Sequence, residues 1–541
     1  ILSAEHEILI LGWDFNLQIE MVRRLRLKRK FPFFFSSTPT LFQLLFSVAK
    51  KRPSLKIKIL IWDHPWIYST DREFLTEAKM NFWMPDNVEF IRDSDHPLAA
   101  SLHEKMVVID SKIAFCGGID LAAGRWDLST SPYDHRKRKD RTVGKYGGFR
   151  DLMLEMKGNC EAFREYFYKR WEKMKPSQKM EPLPLKLPEK GEFQFFISRT
   201  SPQYKDRPGI YEVQKTKKEL IRNALNFIYI ENQYLASFDL VEELARRLKE
   251  KDGPEITLIL PNVDMGFVEE HSMGALTKKC VLKLYEADIF NRLGVFYPVR
   301  RRLGKDKSFK VHSKLMIVDD TFFNLGSSNL NERSMGLDTE LDVTWKAQGS
   351  YQSDRLIKTL HKILSTLTLK KIETVKKQLE NMSLNRFLAS SKMIRVFKKE
   401  NIDKFDLFIL GHVPIDSKDP TYVETFMDRV LLRSAMYRKT YGIGNFTFTL
   451  ISAVIAILGV NLFLSESFID FLSIKETLTF FNEFNPFLLL LTYLLMSFFL
   501  FPLNVYIALI CLGGGLFEAF FFAFLGVFFA ATLHFFLGSF L

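Results

Sequence analysis

The sequence predicts a mixed α/β fold built twice over: two similar α/β domains, each a mixed sheet with flanking helices. An all-α transmembrane domain follows them. Three observations predict this. Apolar, strand-like runs recur with similar neighbours in two places. A histidine–lysine motif recurs at equivalent points in both. The last hundred residues hold uncharged runs long enough to cross a bilayer.

The first pair of strands is the plainest. Ala4-Glu-His-Glu-Ile-Leu-Ile-Leu-Gly-Trp-Asp-Phe15 and Ala224-Leu-Asn-Phe-Ile-Tyr-Ile-Glu-Asn-Gln-Tyr-Leu235 both run from an apolar stretch to an acidic or amide residue. Ile57-Lys-Ile-Leu-Ile-Trp62 and Ile256-Thr-Leu-Ile-Leu-Pro261 match as second strands. Before the latter, Leu240, Val241, Leu244 and Leu248 recur at helical spacing. Four prolines between 174 and 191 mark a linker. The expected organisation is residues 1–173 as first repeat, 174–191 as linker, 192–382 as second repeat, 383–440 as connector and 441–541 as membrane domain.

Composition separates these parts. The 541 residues carry a net charge of +13 and are 47% apolar and 26% charged, which excludes a wholly embedded or a disordered chain. Residues 441–541 hold one basic side chain, Lys475, against five acids, so the preceding part is strongly basic. The four cysteines (Cys116, Cys160, Cys280 and Cys511) are far apart, which excludes a disulfide scaffold and fits a reducing compartment. Because the chain starts at Ile1 without Met and stops in an apolar run, it reads as a fragment at both ends.

Phe446–Leu464, Pro486–Leu516 and Ala519–Leu541 carry no charge. Arg429, Arg433, Arg438 and Lys439 precede the first run, and four acids with one lysine follow it. The expectation is an integral membrane protein with its soluble part in the cytoplasm. Glu518, within an apolar region, is a functional candidate there.

The third matching pair carries chemistry. His103-Glu-Lys105-Met-Val-Val-Ile-Asp110 and His312-Ser-Lys314-Leu-Met-Ile-Val-Asp319 share H-x-K-x-x-x-x-D. Alternation along a strand puts each His and Lys on one face. Fifteen residues after each His come Gly118, in Gly117-Gly-Ile-Asp120, and Ser327, in Gly326-Ser-Ser-Asn329. Asp120 and Asn329 then share a register. Asp151 and Glu340 align as strand-start carboxylates. The first repeat reaches its carboxylate later because of an insertion at 127–147, which includes the basic run His135–Lys139.

Two His and two Lys without an acidic or Cys/His cage point away from metal chemistry, so no metal and no cofactor is expected. Lys105, Lys314 and Asn329 suit neutralisation of a phosphodiester. One His can attack phosphorus while the other protonates the leaving oxygen, with His103 favoured as nucleophile. Asp151 and Glu340 are candidates to orient the imidazoles. Asp110 and Asp319 stand in the motif beside the catalytic His and Lys, but their odd offset favours bracing. Other histidines, such as His64, His96 and His361, read as structural. Arg300–Arg302 with Lys305 and Lys307 is a candidate for attraction to anionic head groups.

These residues resemble the phospholipase D superfamily, through the paired motifs, Gly326-Ser-Ser-Asn329, Gly117-Gly-Ile-Asp-Leu121, Gly124-Arg-Trp-Asp127 and Ile228-Tyr-Ile-Glu-Asn-Gln-Tyr234. The resemblance implies two phospholipase-D-like domains sharing one site, and metal-independent phosphodiester cleavage or phosphatidyl transfer. Phe501-Pro-Leu-Asn504 and Gly513-Gly-Gly-Leu-Phe-Glu-Ala519 resemble the SNARE-associated (DedA/VTT) membrane domain. The resulting expectation is a membrane-anchored phospholipase D or phosphatidyltransferase, of bacterial inner-membrane type, that cleaves the distal phosphodiester through a phosphohistidine. Phospholipid and membrane are the expected partners, nucleic acid is disfavoured, and the oligomeric state is left open. A superfamily nuclease, or a lipid transporter or scramblase carrying a lipase module, are the alternatives.

Overall fold

The computed structural model describes residues 1–21, 39–64, 72–73, 75–97, 99–185, 187, 193–262 and 273–398. The chain divides into Ile1–Ala435 and Met436–Leu541, and the described residues all lie in the first unit. The expected membrane domain at 441–541 falls outside them, as does most of the connector. Among the described residues no helix is long and apolar enough to cross a membrane.

Two mixed sheets carry the repeat. The first is ordered Val88–Asp93, Lys56–Trp62, Glu7–Gly12, Met106–Ile109, Ile113–Gly117, Met153–Lys157. The second contains the same series: Leu293–Arg302, Glu255–Ile259, Phe227–Glu231, Leu315–Val318, Phe322–Gly326, Glu340–Lys346. Registers agree as well. Ile8 pairs in parallel with Ile57 and antiparallel with Ile109, as Ile228 does with Ile256 and Val318. Phe195–Ser201 adds a strand beside Glu340–Lys346.

Alternation explains why the strands are apolar on both faces. Ile8 and Ile10 pack with Leu41 and Leu45 of the helix Leu41–Lys51. Leu9 and Leu11 face the other way, onto Phe163, Phe167 and Trp171 of Glu161–Met174, where Leu341 and Val343 of the second repeat join them. In the second repeat Ile228 and Ile230 meet Leu240 and Leu244 of Phe238–Lys249. Tyr229 and Ile317 meet Leu360 and Leu364 of Gly349–Thr368. Both repeats thus bury both sheet faces.

Two details differ from the sequence reading. The second repeat runs past Met382: the Glu255 carboxylate accepts from the amides of Leu384 and Asn385, and Ile394–Val396 pairs with Leu293–Arg302. Arg300, expected among lipid-facing cations, is buried and donates to the carbonyls of Thr130, Thr366 and Leu367. Its guanidinium lies 4.8 Å from the Phe309 ring centroid. Arg301, Arg302, Lys305 and Lys307 of that hairpin are exposed.

Candidate active site

Each His sits just before a short strand, and the segment before it pairs with the other repeat. Leu102 bridges Thr339 in parallel, and the His103 amide donates to the Thr339 carbonyl at 3.0 Å. Val311 pairs in parallel with Arg150, and the His312 amide donates to the Arg150 carbonyl at 2.7 Å. Thr339 precedes Glu340, and Arg150 precedes Asp151. The backbone therefore delivers each imidazole to the carboxylate of the opposite repeat. His103 Nδ1 lies 2.9 and 3.1 Å from the Glu340 oxygens, and His312 Nδ1 lies 2.6 Å from Asp151 Oδ2. With Nδ1 engaged, each Nε2 is the free ring nitrogen.

The lysines return to their own histidines. Lys105 Nζ donates to the His103 carbonyl and Lys314 Nζ to the His312 carbonyl, both at 2.6 Å. Gln233 Oε1 lies 3.3 Å from Lys314, and Asp120 Oδ2 lies 3.4 Å from Lys105. Burial holds His103 well below the ordinary imidazole value, reinforced by both Lys105 and Lys314. Burial lowers His312 likewise, followed by Lys314 and Arg125, with Lys105 contributing. Because both ammonium groups press on both rings, the two half-sites form one site. Burial also pushes Asp151 up to about 7 and Glu340 up to about 8, and pushes Lys314 down to about 7. Burial thus favours the neutral forms of Asp151, Glu340 and Lys314.

The remaining expected residues divide in two groups. Ser327 donates its hydroxyl to Glu340 Oε2. At the equivalent Gly118 a Cβ would lie 2.2 Å from Asp151 Oδ1, so this glycine supplies space. Asp120 Oδ1 accepts from the Trp13 amide at 3.0 Å. Asn329 is buried beside the Ser334 hydroxyl, with its Oδ1 lacking a partner among the described residues.

Asp110 and Asp319 stand apart, and their grouping with the catalytic residues needs correction. Each occupies a left-handed turn at the far end of its strand, φ +50° and +54°. Asp110 accepts from the amides of Glu5, His6 and Glu7. Asp319 accepts from those of Leu225, Asn226 and Phe227. They fasten the start of the opening strand and touch neither His nor Lys of their motifs.

Several neighbours escaped sequence reading. The Trp13 ring meets His103 edge-on at 6.4 Å, and Phe149 lies 5.1 Å from His312. Arg150 grips Glu231 across the repeats at 2.9 and 2.7 Å, and Ser313 and Tyr229 hydroxyls also donate to Glu231. The only sequence signal for this clasp was the acidic end of the Phe227–Glu231 strand.

Residues 218–366 match the family described as "Cardiolipin synthase, PLD-like domain". The chain is 24% identical over 396 residues to Phospholipase D A of Dictyostelium discoideum, covering 62% of this chain and 30% of that protein. It is 24% identical over 506 residues to Phospholipase D alpha 1 of Vigna unguiculata, covering 66% and 60%. The chain thus spans less than two thirds of the length of these relatives. A solved structure, phosphatidylserine synthase of Haemophilus influenzae Rd KW20, aligns with 79% of this chain and 89% of its own, at 14% identity and a TM-score of 0.44. The matched segment and these relatives make the chain similar to phospholipase-D-like proteins.

Proposed function

We propose that this chain is a phosphodiesterase of phospholipase D type, acting on phospholipids by hydrolysis or phosphatidyl transfer. One observation carries the reading: two His–Lys pairs, each imidazole backed by the carboxylate of the opposite repeat, share one site. Relatives named as phospholipases D support a lipid substrate.

In the proposed reaction, Nε2 of one imidazole attacks phosphorus and the P–O bond to the leaving alcohol breaks. The other imidazole, charged while the anionic phosphate is bound, gives its Nε2 proton to the departing oxygen. Water or an alcohol then attacks the phosphohistidine, losing its proton to that same imidazole as the P–N bond breaks. Lys105 and Lys314 neutralise the non-bridging oxygens, and an arriving phosphate favours the charged form of Lys314. The uncharged runs after Phe446 support membrane attachment, and Arg429, Arg433, Arg438 and Lys439 before them support a cytoplasmic side for the catalytic repeats.

The test uses the purified chain with phosphatidylcholine, cardiolipin and DNA in EDTA. Release of a lipid head group or alcohol, lost by at least about a hundredfold in His103→Ala and in His312→Ala, is expected. Cleavage of DNA alone would overturn the lipid reading. Alkaline quenching followed by peptide mass spectrometry should find one phosphatidyl-histidine per chain.

A further inference from the structure

Two short hairpins, one from each repeat, lead into the strands that present the Asp151–His312 half-site. In the first repeat Lys139–Asp140 pairs with Gly144–Lys145, and Lys145 stands six residues before Asp151. In the second, Leu293–Arg302 pairs with Lys305–Ser308, and Lys307 stands five residues before His312. Phe149–Arg150 and Lys310–Val311 then pair in parallel, so both hairpins approach the half-site from the same end. The second hairpin is also tied to the loop that carries the first. Arg300 donates to the Thr130 carbonyl, and the Lys307 ammonium lies 5.4 Å from the Tyr133 ring centroid.

Both tips run against ordinary hairpin preferences. Leu303 is 93% exposed and sits at φ +51°, in a two-residue turn where glycine or asparagine is favoured over a branched aliphatic side chain. Gly304 follows at φ +78°. Directly behind this tip Arg302 opposes Lys305, and Arg300 opposes Lys307. Like charges in opposed positions are destabilising. Arg300 turns inward, whereas Arg302, Lys305 and Lys307 are exposed on one face of the hairpin. Its acid, Asp306, is taken by Arg301 and Arg395. Among the described residues no carboxylate pairs with Arg302, Lys305 or Lys307. The first hairpin repeats the pattern. Lys139 opposes Lys145, Arg141 is exposed, and Val143 at the tip is 41% exposed.

An aliphatic side chain held in water among unpaired cations is unfavourable in the free chain and favourable at one kind of surface. In the plane of anionic lipid head groups the cations meet phosphates and the side chain leaves water. Nucleic acid would satisfy the charge alone and leave Leu303 in water. We propose that the two hairpins dock on an anionic bilayer surface, with Leu303 and Val143 entering among the head groups, and so hold the Asp151–His312 half-site at the lipid plane. This contact is separate from the uncharged runs after Phe446. It rests on exposure and charge, so it stands or falls apart from the catalytic reading.

The test reads depth in the full chain, placed in nanodiscs of phosphatidylcholine alone or with phosphatidylglycerol added. Cys511→Ser leaves the buried Cys116, Cys160 and Cys280, so a nitroxide attaches only at an introduced site, Leu303→Cys or Val143→Cys. Lys251→Cys, at an exposed turn before Glu255–Ile259 and at the far end of that sheet, is the reference. With phosphatidylglycerol present, the ratio of collisions with dissolved oxygen to collisions with a water-soluble nickel chelate should be at least about fivefold higher at either tip than at the reference. Arg302→Gln combined with Lys305→Gln and Lys307→Gln should return the Val143 label to water, and raised salt should do the same to the unsubstituted hairpin. Leu303→Asn suits the left-handed turn. It should lower the Val143 depth ratio by about twofold or more while the urea midpoint stays or rises, a combination that a structural role for Leu303 would not give. Tips that stay in water, equal immersion in neutral nanodiscs, or immersion of the Lys251 reference would each overturn the proposal. So would protection of both tips by duplex DNA but not by anionic nanodiscs.

Discussion

The two half-sites reach the same geometry by different means. Facing His103, the longer Glu340 side chain is steadied by the Ser327 hydroxyl. Facing His312, the shorter Asp151 has Gly118 at its flank, where no side-chain atom fits. One half orients its carboxylate with a hydroxyl and the other by leaving room. The lesson is that equivalent positions in a duplicated site need not tolerate the same residue, because the partner side chain has changed length.

Substitutions sharpen that contrast. Gly118→Ser, which copies the second repeat, should be the most damaging. Its Cβ would displace the Asp151 carboxylate from His312, and turnover should fall by about a hundredfold or more. Ser327→Gly, the reverse exchange, leaves Glu340 against His103 but without the Ser327 hydroxyl. A loss of about tenfold is expected, with about 1–3 kcal/mol of stability. Steady-state kinetics and urea melts on both variants check the order; equal losses would show that the two halves work alike.

Asp110→Ala and Asp319→Ala act on the frame. Each strands three backbone amides, so a stability loss of about 2–4 kcal/mol is expected, with the folded fraction retaining near-normal turnover. A collapse of kcat without loss of stability would return them to the catalytic group.

The smallest effect is on pH. Burial raises Glu340 from an ordinary value near 4.5 to about 8. Its folded form therefore holds a proton more tightly than the unfolded chain. The stabilisation is fully present below about 4.5 and is lost as pH rises through about 8. Glu340→Gln should flatten this decline, seen as a weaker fall of the urea midpoint between about pH 5 and 8. An unchanged slope would mean that other groups set the dependence.

Much of this was legible in the sequence, for a physical reason. A strand whose faces are both buried must be apolar throughout, so the opening strands of both repeats stood out. The His–Lys spacing matched the strand period, and the fifteen-residue offsets located Gly118 and Ser327. The crossing of the carboxylates was hidden, because residue order says nothing about which repeat lends a backbone to the other. That exchange depends on the Leu102–Thr339 and Val311–Arg150 pairings. Arg300 misled as a lipid-facing cation because a run of arginines does not reveal which member finds carbonyl acceptors in the interior. Arg125 was visible only as part of Gly124-Arg-Trp-Asp127.

The crossed pairing is the centre of the account, and ¹⁵N spectra of the selectively labelled histidines test it most directly. Glu340→Gln should move the Nδ1 resonance of His103 and leave that of His312 in place, while Asp151→Asn should do the reverse. If Glu340→Gln instead moved His312 and spared His103, each repeat would be serving its own histidine, and the shared site described above would be wrong.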